Sequence, residues 1–402
     1  MKRQKELSFL GDPKDTRKKL SKSLKIKKIM FTMGLRYSEL VDYDKLDPFK
    51  EECIRRFART LAFPNRLGIS IVPESIGTTA VAVDLGLGDF FIAFGVEGLG
   101  TKNLIAEMMA EMEAIGKIFG LEKRVLFSGI GQCEMAMTLN DLSGIGAIPI
   151  LFEPLVATGS ADYVADPEKA AGLIDGFERG AEIAQVAIPG GETPSLPGIV
   201  YPRTIDLAGG SLGIISPKTR LVTGNRLAEG LAIYAVNSSG IQSNGVSLAR
   251  KVAEGLREGY FTRLPSGKTL GQALLRPCKI YSPFVEALFN EGVDVRFLQP
   301  ITGHGFAKIM RDKRQLRYII DDLPNPQEEF RYMQHAGPVN DEEAYKTWNM
   351  GVGFVVIAPE SDKQKFEIAA VKSDLIPYTI GYTEKGAREV VLTQRNLAYR
   401  PK

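Results

Sequence analysis

The sequence predicts an α/β or α+β protein of two domains, on three observations. Short apolar runs rich in β-branched residues alternate with stretches of helical periodicity along most of the chain. That alternation starts again after Ser216-Pro217, which places a boundary between residues 215 and 216. With 402 residues, the chain can bury more than one core.

Residues 1–32 are crowded with basic side chains (Arg17-Lys18-Lys19, Lys22, Lys25, Lys27 and Lys28) and read as a disordered, solvated tail. A start at Met33 is the alternative. From Asp47 to Ala62, Phe49, Cys53, Ile54, Phe57 and Leu61 recur at helical spacing. Strands are predicted at Ile69–Val72 and Thr79–Leu85, with a turn at 73–77 between them. Asp89–Gly95 is an apolar run that reads as a buried strand, and a helix follows from Asn103 to about Phe119. The first domain continues with a helix over Glu134–Leu142 and a strand over Ala147–Phe152. A helix over Pro167–Ile183 and a strand over Ala184–Ile188 lead to a Gly-rich strand at Ala208–Ile215. In the second domain, 216–402, strands are predicted at Leu231–Val236, Gly351–Pro359 and Glu389–Leu392. Helices are predicted at Gly245–Arg257, Ser282–Glu291, Phe306–Lys313 and Asp362–Lys372.

Composition narrows the function. The formal net charge is +3, and the tail supplies more than that excess. The body is therefore slightly acidic, with no mandate for nucleic acid. No apolar run approaches the roughly 20 residues that cross a bilayer, so no membrane partner is expected. Cys53, Cys133 and Cys278 lie far apart without metal-ligand spacing, which fits a reducing, cytoplasmic setting. Two histidines, His304 and His335, argue against a histidine-ligated zinc or a Ser-His-Asp triad. Chemistry falls to carboxylates, lysines, backbone amides and a bound ion.

Four loops rich in Gly, Ser and Thr sit at a strand end or before a helix: 97–102, 190–193, 238–245 and 302–305. Any one of them reads equally as a plain turn. Four together point to a phosphorylated ligand held by helix N-termini. Glu97, Asp141 and Glu192 lie among them, and separated carboxylates beside phosphate loops suit Mg²⁺. Taken singly, Asp141 also reads as a residue that ends a helix, and Glu192 as a solvated loop acid.

At these loops the chain resembles the aminoimidazole ribonucleotide synthetase (phosphoribosylformylglycinamidine cyclo-ligase) family. Glu97-Gly98-Leu99-Gly100-Thr101-Lys102 is similar to that family's Asp-Gly-Val-Gly-Thr-Lys. Asn140-Asp141-Leu142 matches Asn-Asp-Leu, and Gly190-Gly191-Glu192-Thr193 matches Gly-Gly-Glu-Thr. Ser238-Ser239-Gly240-Ile241-Gln242-Ser243-Asn244-Gly245 resembles Ser-Ser-Gly-x-His-Ser-Asn-Gly. Tyr345-Lys346-Thr347-Trp348-Asn349-Met350-Gly351-Val352-Gly353 is close to Tyr-Arg-Thr-Phe-Asn-Met-Gly-Val-Gly. The likeness runs from about Met33 to Leu392.

The resemblance implies an N-terminal ATP-binding sheet domain that forms a barrel across a homodimer, and a C-terminal α+β domain. It implies ATP, Mg²⁺ and formylglycinamidine ribonucleotide, with the formyl amide oxygen phosphorylated and the imidazole ring closed with loss of phosphate. Glu97 and Asp141 would hold the metal, and Lys102 and Asp141 would carry catalysis. Gly98, Gly100, Thr101, Lys102, Asn140, Gly190, Gly191, Glu192 and Thr193 would hold the nucleotide. Ser239, Gly240, Ser243, Asn244, Gly245, Thr302, Gly303 and Gly305 would face the substrate.

The chain departs from the family at four ligand-facing places. Glu97 replaces an aspartate, Cys133 stands where the family has an acid, Gln242 replaces a histidine, and His304 replaces the centre of a Thr-Gly-Gly-Gly loop. Cys133 also reads as a small buried hydrophobe. The stretch 117–128 reads as an insertion. Another ATP-dependent phosphotransferase or ligase of the superfamily, or a non-catalytic nucleotide binder, are the other readings.

Overall fold

The computed structural model describes residues 35–111 and 122–401. The basic tail and the predicted helix beyond Glu111 lie outside them. Helix α1, Tyr43–Phe57, starts earlier than its apolar periodicity, because the Asp42 side chain caps it by accepting from the Lys45 amide. It passes into a 3-10 stretch over Ala58–Leu67. Phe49, Ile54 and Phe57 stand exposed, so the periodicity that makes this helix does not sink it into the core.

The first sheet contains β1 (Ser70–Ile71), β2 (Val81–Asp84), β3 (Phe91–Gly98), β4 (Ile148–Thr158) and β5 (Ile205–Ile215). Their order is β1-β2-β3-β5-β4, antiparallel throughout. Side chains alternate across it. Ala93 and Leu207 point into the core, while Phe94 and Val96 lie on the open face. Helix α2 (Asn103–Glu111) follows β3. Helix α3 (Lys123–Ser143) covers the inner face, and α4 (Pro167–Ala184) packs on α3.

α3 begins well before the predicted Glu134 and absorbs residues 123–128 of the expected insertion. Sheet, α4 and the second domain surround it, so it lacks the polar face that reveals a surface helix. The predicted strand Ala184–Ile188 is not one. α4 runs to Ala184 and is closed by Gln185 in the left-handed region. The chain then follows the β4 edge through isolated bridges at Ala187, Glu192 and Ser195. Pro189 and Pro194 remove the donors a continuous ladder needs.

The second sheet contains β6 (Ala232–Asn237), β7 (Phe297–Pro300), β8 (Leu316–Ile320), β9 (Val352–Ala358), β10 (Pro377–Lys385), β11 (Glu389–Leu392) and β12 (Leu397–Tyr399). Its order is β12-β11-β8-β10-β6-β9-β7, and only β8–β11 pair in parallel. Mostly antiparallel pairing makes the fold α+β. Helices α5 (Val246–Gly255), α6 (Leu270–Leu274), α7 (Ser282–Asn290), α8 (Glu328–Ala336), α9 (Asp341–Thr347) and α10 (Lys363–Lys372) complete the domain. On one face, Phe284, Leu288 and Phe366 of α7 and α10 pack against Tyr234, Phe354 and Val356. On the other, Leu248 and Val252 of α5 join Ile105, Phe127 and Ile130 of the first domain in one continuous core. The predicted helix at 306–313 is a 3-10 stretch, Gly305–Met310.

Candidate active site

β3 runs three residues further than its apolar run suggests, so Glu97 and Gly98 are ladder residues opposite Gly209 and Ala208. Leu99 then turns inward, its amide donating to the Leu207 carbonyl at 2.9 Å. Gly100 takes the left-handed region at φ 74°, and α2 begins at Asn103. The Asn103 amide group donates to the Ile205 carbonyl at 2.8 Å, which fixes the helix start on β5. The free N–H groups at this start favour an anion. Across the seam between domains, the Thr101 and Ser247 hydroxyls lie 3.2 Å apart.

Glu97 and Asp141 meet here, one from β3 and one from the last turn of α3, with their side chains hydrogen-bonded. Burial pushes the Asp141 carboxyl up to about 7, Lys308 pulls it back, and the neighbouring Glu97 charge adds to the rise. Two close carboxylates resist joint ionisation, and a hard cation relieves that repulsion. Among the described residues no cluster of three or more such ligands exists. The pair fits Mg²⁺ in its usual manner, with few protein oxygens and the remainder from water and phosphate. Lys308 and Arg311 face the pair from the second domain, both held below their ordinary values by burial. Arg311 also donates to the Gly77 and Thr78 carbonyls at 3.1 and 2.7 Å, which ties the β1–β2 turn to this side of the site.

The loops of the second domain are held by its own motif. The Asn349 side chain accepts from the Ser238 hydroxyl at 3.0 Å and donates to the Gly240 carbonyl at 2.8 Å. The Trp348 indole donates to the Gly245 carbonyl at 3.0 Å. Gly245 has φ 69°, and a Cβ there would meet Trp348 Cδ1 at 2.5 Å, so only glycine fits. Ser239 donates to the Pro277 carbonyl at 2.6 Å, and Ser243 sits 3.1 Å from Cys278 Sγ. Asn244 accepts from the Gly303 amide at 3.0 Å and so joins the loops at 238–245 and 302–305. Thr302 accepts from Lys308 Nζ. Gly305 is tucked against the Tyr345 carbonyl, while His304 takes the left-handed region at φ 68°.

Three of the four predicted loops therefore converge on Glu97 and Asp141, and one does not. Gly190, Gly191, Glu192 and Thr193 are exposed along the outer edge of β4, with the Glu192 amide bonded to Pro154 at 2.9 Å. Gly98 pairs with Ala208, Ala208 with Leu155, and Leu155 with Glu192. Three strand spacings put Glu192 about 14 Å from Gly98 within one chain.

Two side chains expected on the nucleotide are engaged elsewhere. Asn140 bridges the domains, donating to the Lys279 carbonyl at 2.9 Å and accepting from the Tyr281 amide at 2.7 Å. Lys102 is completely buried, with its ammonium on Cys133 Sγ and the Arg276 carbonyl rather than on the open face of the turn. Cys133 is thus no inert hydrophobe. Gln242 is buried and donates to the Tyr281 hydroxyl at 3.1 Å.

Sequence reasoning missed four residues. Glu134 is fully buried. Glu329, also buried, pairs with Arg276 under Gly240. Lys308 and Arg311 stand one turn apart just after the 302–305 loop, a spacing that marks two cations on one side.

Residues 77–215 match the family "AIR synthase related protein, N-terminal domain", and residues 228–394 its C-terminal domain. The phosphoribosylformylglycinamidine cyclo-ligase of Methanothermobacter thermautotrophicus is 38% identical over 70% of this chain and 78% of its own length. That of Methanococcus maripaludis (strain C5) is 32% identical over 87% of this chain and 96% of its own. Among solved structures, AaThiL complexed with AMPPCP and TMP superposes with a TM-score of 0.57 at 14% identity, covering 91% of this chain and 97% of that one. The HypE-HypF complex gives 0.55 at 16% identity, over 81% and 93%. Those two likenesses concern the fold. With both family domains in order and relatives above 30% identity over most of their length, the chain belongs to the AIR synthase family.

Proposed function

We propose that the protein is an ATP-dependent phosphoribosylformylglycinamidine cyclo-ligase, acting on formylglycinamidine ribonucleotide in purine biosynthesis. One observation carries this reading from the structure: Glu97 and Asp141 meet between a glycine turn that opens a helix and two cations of the other domain. Curated relatives named for this activity support it.

In this reading Glu97 and Asp141 hold Mg²⁺, and the amides of Gly100 and Thr101 line the phosphates. When bound, Mg²⁺ and ATP supply the phosphoryl group and neutralise charge on its oxygens. The chain's own residues supply position and field. Lys308 and Arg311 face the developing negative charge from the second domain. Ser239, Gly240, Ser243, Asn244 and Gly245, with Thr302, Gly303 and Gly305, form the wall on which the ribonucleotide rests. The Thr101–Ser247 contact holds that wall to the turn. This is catalysis by orientation and charge, which suits a site without histidine at its centre.

The protein works as a homodimer in the same reading, and the open face of the first sheet is its interface. Gly190–Thr193, remote from the site within one chain, serve the nucleotide across that dimer. No helix among the described residues is long and apolar enough to cross a membrane, in keeping with a cytoplasmic enzyme.

Purified protein with ATP, Mg²⁺ and formylglycinamidine ribonucleotide should yield ADP and aminoimidazole ribonucleotide in equal amounts. Asp141→Asn should lower kcat by roughly 10²–10³-fold. ATP binding without turnover in the unmodified protein would leave a nucleotide binder, and full activity in Asp141→Asn would remove Asp141 from the site.

A further inference from the structure

Beneath the glycine turn lies a cluster that the proposed reaction does not explain. Lys102 Nζ is fully buried, 3.2 Å from Cys133 Sγ, 2.8 Å from the Arg276 carbonyl and 4.0 Å from Cys278 Sγ. Lys102 and Cys133 come from the first domain; Arg276 and Cys278 come from the second. No carboxylate is among these acceptors. An ammonium taken out of water without an anion costs several kcal/mol. Of its three partners only the thiols can become anionic, and donors converge on one of them. Cys133 Sγ receives both the ammonium and the Cys278 amide, the latter at 3.2 Å.

We propose that Cys133 is held as a thiolate, the counter-ion of Lys102, and that this buried pair positions the 98–102 turn against the second domain. A sulfur anion thereby stands at the place where the resembled family carries an acid.

The groups facing Cys133 are Lys102 at the head of α2, Cys278 with Ser243 behind it, the Arg276 segment, and Glu134 on its own helix. Burial pushes the Cys133 thiol up, yet the Cys278 hydrogen bond and the Lys102 charge outweigh it and bring it to about 5. Burial likewise works against the Lys102 ammonium, and the two sulfurs overcome it. Burial and the hydrogen bond to Cys133 keep Cys278 a thiol. Both shifts run in the direction that favours the charged pair.

The positioning role rests on the reading of 98–102 as the phosphate seat; the ion pair does not. Thiolate absorbance at 240 nm, followed from pH 5 to 9 on the full metal-free chain, tests the pair. At pH 7 the native protein should show one thiolate that its urea-unfolded form, Cys133→Ser and Lys102→Met all lack. Equal absorbance in native and unfolded protein would overturn the pair, even if neither variant folds. Calorimetric ATP binding tests the positioning. Cys133→Asp should bind as the unmodified protein does, and Cys133→Ser on the order of tenfold more weakly. Equal binding by Cys133→Ser overturns the positioning, as does failure of Cys133→Asp to restore it. Absence of ATP binding in the unmodified protein would sink the phosphate seat while the absorbance still decides the pair.

Discussion

At the scale of single residues, this protein keeps several charged groups out of water, and Glu134 makes the physical consequence plainest. Its carboxyl is fully buried and faces Glu97, Cys133 and Asp206. Burial first, then those neighbouring charges, push it up to about 8 from an ordinary 4.5. An acid raised in the native state binds more protons folded than unfolded between those two values. The contribution of Glu134 to the stability of the metal-free protein therefore falls as pH rises from about 4.5 to about 8 and levels off beyond. Glu134→Gln should remove that component and be the more stable protein at pH 8, by roughly 2–4 kcal/mol. Urea unfolding in EDTA at pH 5 and pH 8 measures it, and an unchanged pH slope in the variant would refute the assignment.

At the scale of elements, the first domain depends on two helices that approach more closely than side chains allow. A Cβ at Gly131 would meet the Leu173 carbonyl at 2.5 Å, and one at Gly176 would strike the Ser128 carbonyl. Glycine costs a helix about 1 kcal/mol relative to alanine, so Gly176→Ala gains locally. Overpacking costs about 1–3 kcal/mol and more when the obstacle is backbone, which cannot swing aside. The net effect of Gly176→Ala should be destabilisation by about 1–2 kcal/mol, seen as a lower Tm, whereas exposed-helix logic expects a rise. The same closeness explains why α3 was only partly legible. Its interior Gly-Ile-Gly run and all-round burial flatten the helical period, so only its final turns, before Asn140-Asp141, carried a pattern. β7 and β8 escaped for another reason: each is short and buried, and such runs resemble helix fragments.

At the scale of the whole molecule, the first sheet is covered on one face only. Phe94 and Val96 of β3 remain 49% and 61% exposed, with Leu212 and Gly210 opposite them on β5. An antiparallel sheet can face water on one side, but apolar side chains there mark an interface. Phe94→Lys with Val96→Lys should convert the proposed dimer to monomer by light scattering and leave the monomer folded. A mass unchanged by the double variant would refute this interface.

The sequence by itself determined the two-domain layout, the β3–turn–α2 unit and the Asn-Asp ending of α3. These are local matters of periodicity, turn chemistry and motif order. Tertiary structure alone decided which atoms of those motifs are free. It sent Lys102 inward to Cys133, spent Asn140 on the domain seam, set Glu192 on the far edge of the sheet, and brought Lys308 and Arg311 to Asp141. Those outcomes depend on contacts between residues far apart in the chain, and on burial that fixes which charges must pair.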